Sequence, residues 1–241
     1  MIIILSCFLL SLGNPVSTET AQEIFNKMLS RYHQANSIKG SITFNQTGKF
    51  SGGSATTTTI TNIHAKKPNF VYFEQIRKSR EPLVFKAICD GKQLAYSAPP
   101  EWAQGDPRKR YLYEPAPPTL DGILNVFPTL LLDRSLPVAL ALYNPYEIKL
   151  ITSRLTDLSI HDEPELDGKK VWRLSAKMSL LERASPEVSI PVFFYISKNY
   201  ELLGVAWEET VMFQEKVQVT NQWIVKLELN AKVDEGLFKV P

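Results

Sequence analysis

The three histidines are the side chains best suited to bind a metal ion or to move a proton near neutral pH. His33 falls at the end of an expected helix, His64 at the end of an expected strand and His161 in an expected turn. None of them has a cysteine or a second histidine at the short spacing that zinc sites use. The sequence therefore predicts no metal site built on histidine.

Two acidic segments could supply carboxylates for acid–base catalysis or for calcium. Glu208 and Glu209 are neighbours in an expected strand, so their side chains point to opposite faces. That arrangement suits a strand leaving the core better than an acid–base pair. Residues 162–168 lack the spacing of a calcium-binding loop and are typical of a solvated hairpin tip.

The sequence contains no nucleophile elbow, phosphate-binding loop, dinucleotide-binding fingerprint or C-x-x-C pair. Serine, histidine and aspartate side chains could still meet in space without a motif, so an enzyme with a hydrophobic substrate stays an open hypothesis. Since no motif argues for it, we expect a non-catalytic protein without a cofactor.

The length and charge of the chain exclude some partners. With 241 residues the chain can bury a sizeable core, and its formal net charge of +2 gives no reason to expect nucleic acid as a partner. The short basic clusters, such as Lys66-Lys67 and Arg108-Lys109-Arg110, are typical of a solvated surface. We expect a monomer.

The first thirteen residues, MIIILSCFLLSLG, form an apolar run of signal-peptide length. No lysine or arginine precedes this run, but small residues suited to cleavage follow it. We interpret residues 1–17 as a signal peptide and residues 18–241 as a single exported domain in the periplasm. Cys7 comes too early for the lipid-anchored cysteine of a bacterial lipoprotein, so we expect no lipid anchor. Cys89 is expected in the core.

Residues 191–207, PVFFYISKNYELLGVAW, predict a hairpin that turns at Lys198-Asn199. Leu203, Val205 and Trp207 should share one face of its second strand, with Leu202 on the opposite face. A hairpin with one wet face alternates apolar and polar residues, but this one is apolar on both faces. We therefore expect one face in the core and the other against a second layer or a hydrophobic space.

In the rest of the chain, the spacing of apolar residues distinguishes predicted helices from predicted strands. Helical spacing behind the capping box of Thr20 and Glu23 predicts an amphipathic helix over residues 21–35. Alternating segments, including a hairpin at Asp90-Gly91, predict about ten strands in one antiparallel α+β domain. Residues 120–142 are apolar but broken by prolines, which predicts either core helices or a lid.

The order of these segments resembles the LolA/LolB-like superfamily of periplasmic lipoprotein carriers, in particular its DUF2092-like branch. The segments that carry the resemblance cover most of the mature chain: AQEIFNKMLSRYHQ, KKPNFVYFE, AICDGKQLAYSAPPEWAQ, SLPVALALYNP, VWRLSAK, IPVFFYISKNYELLGVAWEE and LNAKVDEGLFKVP. The arginine that holds the lid of the founding carrier has no assignable counterpart, because Arg77 and Arg80 match no motif.

This resemblance implies an unclosed antiparallel β half-barrel with an N-terminal helix, a helical lid insertion and a hydrophobic cavity. It implies an acylated lipid or lipoprotein as cargo, with a membrane-anchored protein as a further partner. An envelope-stress sensor or protein-interaction module on the same fold is the alternative function. Apolar side chains of the strands and the insertion are candidates for the cavity wall, with plain core as the alternative: Phe194, Val205, Trp207, Trp223, Phe73 and Leu131.

Overall fold

The computed structural model describes residues 19–98, 110–126, 131–133, 135–166, 168–179, 189–212 and 215–241. The predicted signal peptide, Cys7 and residues 127–130 of the insertion lie outside these ranges. Twelve strands are present within them: β1 Ser37–Phe50, β2 Gly53–Lys66, β3 Phe70–Lys78, β4 Leu83–Asp90, β5 Gln93–Ser97, β6 Tyr111–Pro115, β7 Leu155–Asp162, β8 Glu165–Leu166, β9 Lys169–Ser179, β10 Ser189–Ser197, β11 Leu202–Met212 and β12 Lys216–Leu229.

The strands form a single antiparallel sheet in the order β6-β5-β4-β3-β2-β1-β12-β11-β10-β9-β7, with β8 added beside β9. Strands β6 and β7 lie at opposite edges and are not paired with each other among the described residues. The sheet is therefore an unclosed half-barrel. The prediction of an unclosed antiparallel α+β fold with an N-terminal helix and a helical insertion is confirmed.

Helix α1, Ala21–Gln34, begins at the predicted capping box. The Thr20 hydroxyl accepts a hydrogen bond from the Glu23 amide at 3.2 Å, and the Glu23 carboxylate accepts one from the Thr20 amide at 2.7 Å. These two bonds satisfy donors that a helix start otherwise leaves unpaired. The helix ends one residue earlier than predicted, with Ala35 as its C-cap.

The insertion forms short helices. A 3₁₀ turn at Leu120–Gly122 leads into α2, Ile123–Val126, and α3 and α4 follow at Leu136–Ala141 and Pro145–Thr152. Helix α4 lies beyond the apolar segment 120–142 and was not predicted. Proline is well accommodated in the first helical turn, and Asn144 caps this one by accepting the Glu147 amide at 2.9 Å.

The β4–β5 hairpin turns at Asp90-Gly91, as predicted. The Asp90 Oδ1 atom accepts the amides of Lys92 and Gln93, each at 2.8 Å. Gly91 has a φ of +88°, which a side chain would disfavour. Cys89, at the end of β4, is a buried free cysteine, as expected.

The β10–β11 hairpin departs from the predicted alternation at one place. A bulge makes Leu202 the partner of Ile196 and Gly204 the partner of Tyr195, so Leu203 is the extra residue. Leu202 is consequently buried on the same face as Val205, and its predicted placement on the opposite face was wrong. Sequence alternation cannot reveal a bulge, because the extra residue changes the period only locally.

The two faces of this hairpin are covered in different ways. On the concave face, Phe25 of α1 packs edge-on against Phe194, with ring centroids 5.1 Å apart. On the convex face, Phe193 is half-buried beneath the Arg173 guanidinium and the His161 ring, at 5.6 and 5.5 Å. On the second apolar face, Phe193 is therefore covered by side chains of β9 and β7, which are strands of the same sheet.

A glycine in β1 provides a direct test of the register in the centre of the sheet. Gly40 has a φ of +142°, and a Cβ atom there would lie 2.0 Å from the Lys226 carbonyl oxygen of β12. Gly40→Ala should lower the free energy of unfolding by about 3 kcal/mol or more, measured by urea unfolding. The matched control is Gly48→Ala, because a Cβ there would meet Val217 Cγ1 at 3.5 Å, an ordinary contact. Equal stability of the two variants would contradict the β1–β12 register.

Candidate functional site

The predicted wall residues of the sheet lie on its concave face, and several are register neighbours. Phe194 of β10 is opposite Val205 of β11, and Val205 is opposite Trp223 of β12. Trp207 shares this face two residues beyond Val205. Phe73 of β3 lies on the same face, opposite Ile63 of β2. Leu131 belongs to the insertion. The structure thus brings four of the six together.

Helices of the chain itself cover this wall. Phe73 is fully buried, and Phe194, Val205 and Trp223 are at most 5% exposed. All six residues of α3 are buried, and the helix packs against β1, β2 and β12. Trp207 and Leu131 are partly buried against the same core. The assignment of these six residues to a lipid cavity stays a prediction. A ligand on β1, β2 or β12 would have to displace α3, and a ligand on Phe194 would have to displace Phe25 of α1.

Three aromatic rings form a continuous stack in the middle of the concave face. Phe44 of β1 stacks on Trp223 of β12, with ring centroids 4.2 Å apart. The ring centroid of Trp207, on β11, lies 4.4 Å from that of Trp223. The indole N–H of Trp223 donates to Asp133 Oδ2 at 3.1 Å. The Trp207 indole nitrogen is buried and has no hydrogen-bond partner among the described residues.

A polar strip on β2 and β3 holds the insertion segment 131–133 against the sheet. Gln75, which is fully buried, accepts the Leu132 amide at 2.8 Å and donates to the Asp133 carbonyl oxygen at 2.9 Å. It also donates to the Thr61 hydroxyl at 3.1 Å. Arg77 donates through Nη2 to the Leu132 carbonyl oxygen at 3.0 Å. This strip attaches the cover through specific hydrogen bonds in addition to apolar packing.

Asp133, in the insertion segment 131–133, has a strongly raised pKa. Burial raises its pKa to about 6, although the bonds from Trp223 and Ser135 and the charge of Arg77 oppose that shift. The Ser135 hydroxyl donates to Oδ2 at 3.2 Å. Desolvation dominates because the charged form loses its water and recovers only part of that cost from its partners.

Sequence reasoning noted Arg77 without assigning it a role, and it missed Gln75, Thr61 and Asp133. Arg77, Gln75 and Thr61 lie on the inward face of their strands. The other inward side chains of these strands, such as Phe73 and Ile63, are apolar. A polar residue at an inward strand position was therefore the available signal. Asp133 carried no comparable signal, because its partner Trp223 is 90 residues away in the sequence.

A separate cavity of about 330 Å³ lies between α1 and the start of β7. Phe25 and Leu29 of α1 line it together with Leu155 and Leu158 of β7. Polar side chains, including Gln22, also line it. This groove contains none of the predicted wall residues.

Two other features are absent from the described ranges. No three His, Cys, Asp or Glu side chains there are close enough together to hold a metal ion. In the same ranges no helix has the length and apolar character needed to cross a bilayer. No family model matches the chain, and no curated protein matches its sequence.

Solved structures do match the fold. The lipoprotein LppX of Mycobacterium tuberculosis is 10% identical, with 89% of this chain and 97% of that chain covered and a TM-score of 0.45. LprF of Mycobacterium bovis is 13% identical, with 89% and 94% covered and a TM-score of 0.41. A LolA superfamily protein of Nitrosomonas europaea is 10% identical, with 92% and 99% covered and a TM-score of 0.28. These are likenesses of fold at sequence identities of 10–13%, and the DUF2092-like branch stays a prediction.

The buried carboxyl of Asp133 predicts a specific pH dependence of stability. Because its folded pKa is about 6 and its ordinary value is 3.8, the folded state binds the proton more tightly than the unfolded state. The stability from this group is complete below pH 4 and falls as the pH rises to 6, by roughly 3 kcal/mol in total. Asp133→Asn should remove this fall and unfold at higher urea concentration than the wild type at pH 8.

Asp90→Asn is the control, since hydrogen bonds from backbone amides lower the pKa of Asp90 and its stability effect lies below pH 4. A fall between pH 4 and pH 6 that persists in Asp133→Asn would show that another group causes it.

Proposed function

We propose that this chain is a non-catalytic carrier of the cell envelope, exported to the periplasm, that holds acyl chains of a lipid or lipoprotein. The acyl chains would lie on the concave face over β1, β2 and β12, where α3 packs, against Trp223 and towards Val205. The observation that carries this proposal is an apolar concave face whose cover is made of short, separable pieces. Residues 18–241 would act as one domain.

The form of the cover supports its displacement. Helix α3 has six residues and α2 has four, lengths at which a helix has little stability of its own in water. Helix α3 owes its place to the apolar surface beneath it, where all six of its residues are buried. An acyl chain offers that surface an equivalent covering, worth about 0.8 kcal/mol for each buried methylene group.

A carrier does not need a dense set of polar groups for its cargo. Hydrocarbon chains are recognised by the area that they bury, so affinity grows with chain length and depends little on direction. A membrane-anchored protein that delivers or accepts the cargo is part of this proposal. It would bind the protein when the cover has opened.

The test compares two buried leucines that differ in position. Leu140 of α3 is 1% exposed, and Leu94 of β5 is fully buried but separated from β2 by β3 and β4. Each change to alanine should cost about 2–5 kcal/mol of stability. Only Leu140→Ala destabilises the covered state of the protein relative to the uncovered state. This variant should therefore bind a fluorescent C16 fatty acid at least about tenfold more tightly than the wild type.

Leu94→Ala should leave this affinity within about twofold, because it destabilises the sheet in both states. Trp fluorescence should shift on binding, since Trp207 and Trp223 lie in the wall. If the wild type and both variants fail to bind acyl ligands, the carrier function is wrong. If both variants gain affinity equally, general loosening of the fold is the cause and α3 is not the displaced element.

A further inference from the structure

Two neighbouring side chains on the concave face contain buried polar atoms that the protein leaves unpaired. Thr59 of β2 is 1% exposed, and its Oγ1 atom has no hydrogen-bond partner among the described residues. The Nε atom of Arg77 on β3 is likewise buried without a partner in the described part of the chain. Leaving a buried polar atom unsatisfied destabilises the folded state, so two side by side require an explanation.

The register places these two side chains directly opposite each other. Thr59 pairs with Arg77 across β2 and β3, and on its other side Thr59 pairs with Phe44 of β1. Side chains opposed in an antiparallel pair lie about 4.5–5.5 Å apart at Cβ, close enough to bind one small group together. The Arg77 guanidinium is fixed by its bond to the Leu132 carbonyl oxygen at 3.0 Å.

The neighbouring polar pair on the same two strands does form hydrogen bonds. Unpaired polar atoms are therefore not a general property of the polar strip. Thr61 and Gln75 also face each other across β2 and β3, and they are joined by a hydrogen bond of 3.1 Å. Gln75 further binds the backbone of the insertion. The unpaired atoms belong to the next pair on these strands, Thr59 and Arg77. Thr59 is opposite Phe44, which stacks on Trp223.

We propose that Thr59 and Arg77 bind the carbonyl oxygen of the acyl ligand, which rests on the carrier function proposed above. A carbonyl oxygen has two lone pairs and can accept both the Thr59 hydroxyl and the Arg77 Nε–H. Its hydrocarbon chain would continue from Phe44 towards Trp223 and Val205. The chain direction is thereby set, with the ester or amide end at β2–β3 and the methyl end towards β10.

The surrounding charges favour a neutral carbonyl group over an anion. The cation of Arg77 lies close enough to Asp133 to lower the pKa of that buried carboxyl, against the larger effect of burial. A phosphate or free carboxylate beside Arg77 would therefore also be repelled by Asp133 when it is ionised. An ester or amide carbonyl accepts the same hydrogen bonds without that repulsion.

The experiment uses two probes that differ only by the carbonyl oxygen, methyl palmitate and hexadecyl methyl ether. Both are measured on the intact protein by displacement of a fluorescent C16 fatty acid. The wild type should prefer the ester by about fivefold, the factor expected for one net hydrogen bond. Thr59→Val and Arg77→Lys should each reduce this preference to less than about twofold.

Thermal melting separates a binding role from a packing defect. Thr59→Val keeps the shape of the side chain and removes an unpaired hydroxyl, so its melting temperature should equal or exceed that of the wild type. The matched control is Thr61→Val on the same face of β2. It removes the acceptor of Gln75, so its melting temperature should fall while the preference for the ester stays at the wild-type value.

The outcomes distinguish this site from the carrier function. Binding of both probes without a preference for the ester would overturn the carbonyl site and leave the carrier function in place. A wild-type preference that survives in Thr59→Val and Arg77→Lys would also overturn the site, because another group would then bind the carbonyl. Failure of both probes to bind would overturn the carrier function and this site with it.

Discussion

An apolar sheet face cannot be left in contact with water, and this constraint organises the whole molecule. The sheet is unclosed, so the opposite side of a barrel is not there to cover its concave face. Helix α1 covers Phe194 through Phe25, and α3 covers β1, β2 and β12. Each covering element must contribute more by burying apolar area than it loses in conformational entropy.

The two parts of this cover differ in how firmly the chain holds them. Helix α1 has fourteen residues, a capping box and its own amphipathic stripe, so it forms a permanent layer. The insertion instead consists of short helices and a segment tied to the sheet by Gln75, Arg77 and Trp223. Hydrogen bonds of this kind contribute little net stability, because water replaces them when the segment leaves.

Asp133 makes the attachment of the insertion weaker still above pH 6. Its carboxylate is buried, and the bonds from Trp223 and Ser135 offset only part of the cost of removing the charge from water. In the proposed function the cover opens for cargo, and such a costly contact lowers the stability of the closed state relative to the open one. The same reasoning explains why the polar strip lies beneath the insertion, whereas the surface beneath α1 is apolar.

Local patterns were sufficient for elements whose cause is local. The capping box of Thr20 and Glu23, the Asp90-Gly91 turn and the β10–β11 hairpin could all be predicted from residues adjacent in sequence. The bulge at Leu203 and the Trp223–Asp133 bond could not, because each is decided by tertiary packing or by a partner distant in sequence. Helix α4 was missed although its signals, the Asn144 cap and proline in the first turn, are local. Alternation correctly placed Val205 and Trp207 on one face of β11, but it could not show which of the predicted helices covers which strand.

The central claim is that an acyl chain can replace helix α3 on the concave face. A photoactivatable C16 fatty acid, crosslinked to the intact protein and mapped by peptide mass spectrometry, tests it most directly. The account predicts crosslinks at Phe44, Val205 and Trp223. Crosslinks confined to the groove of Phe25, Leu29, Leu155 and Leu158, with none on the sheet residues, would contradict it.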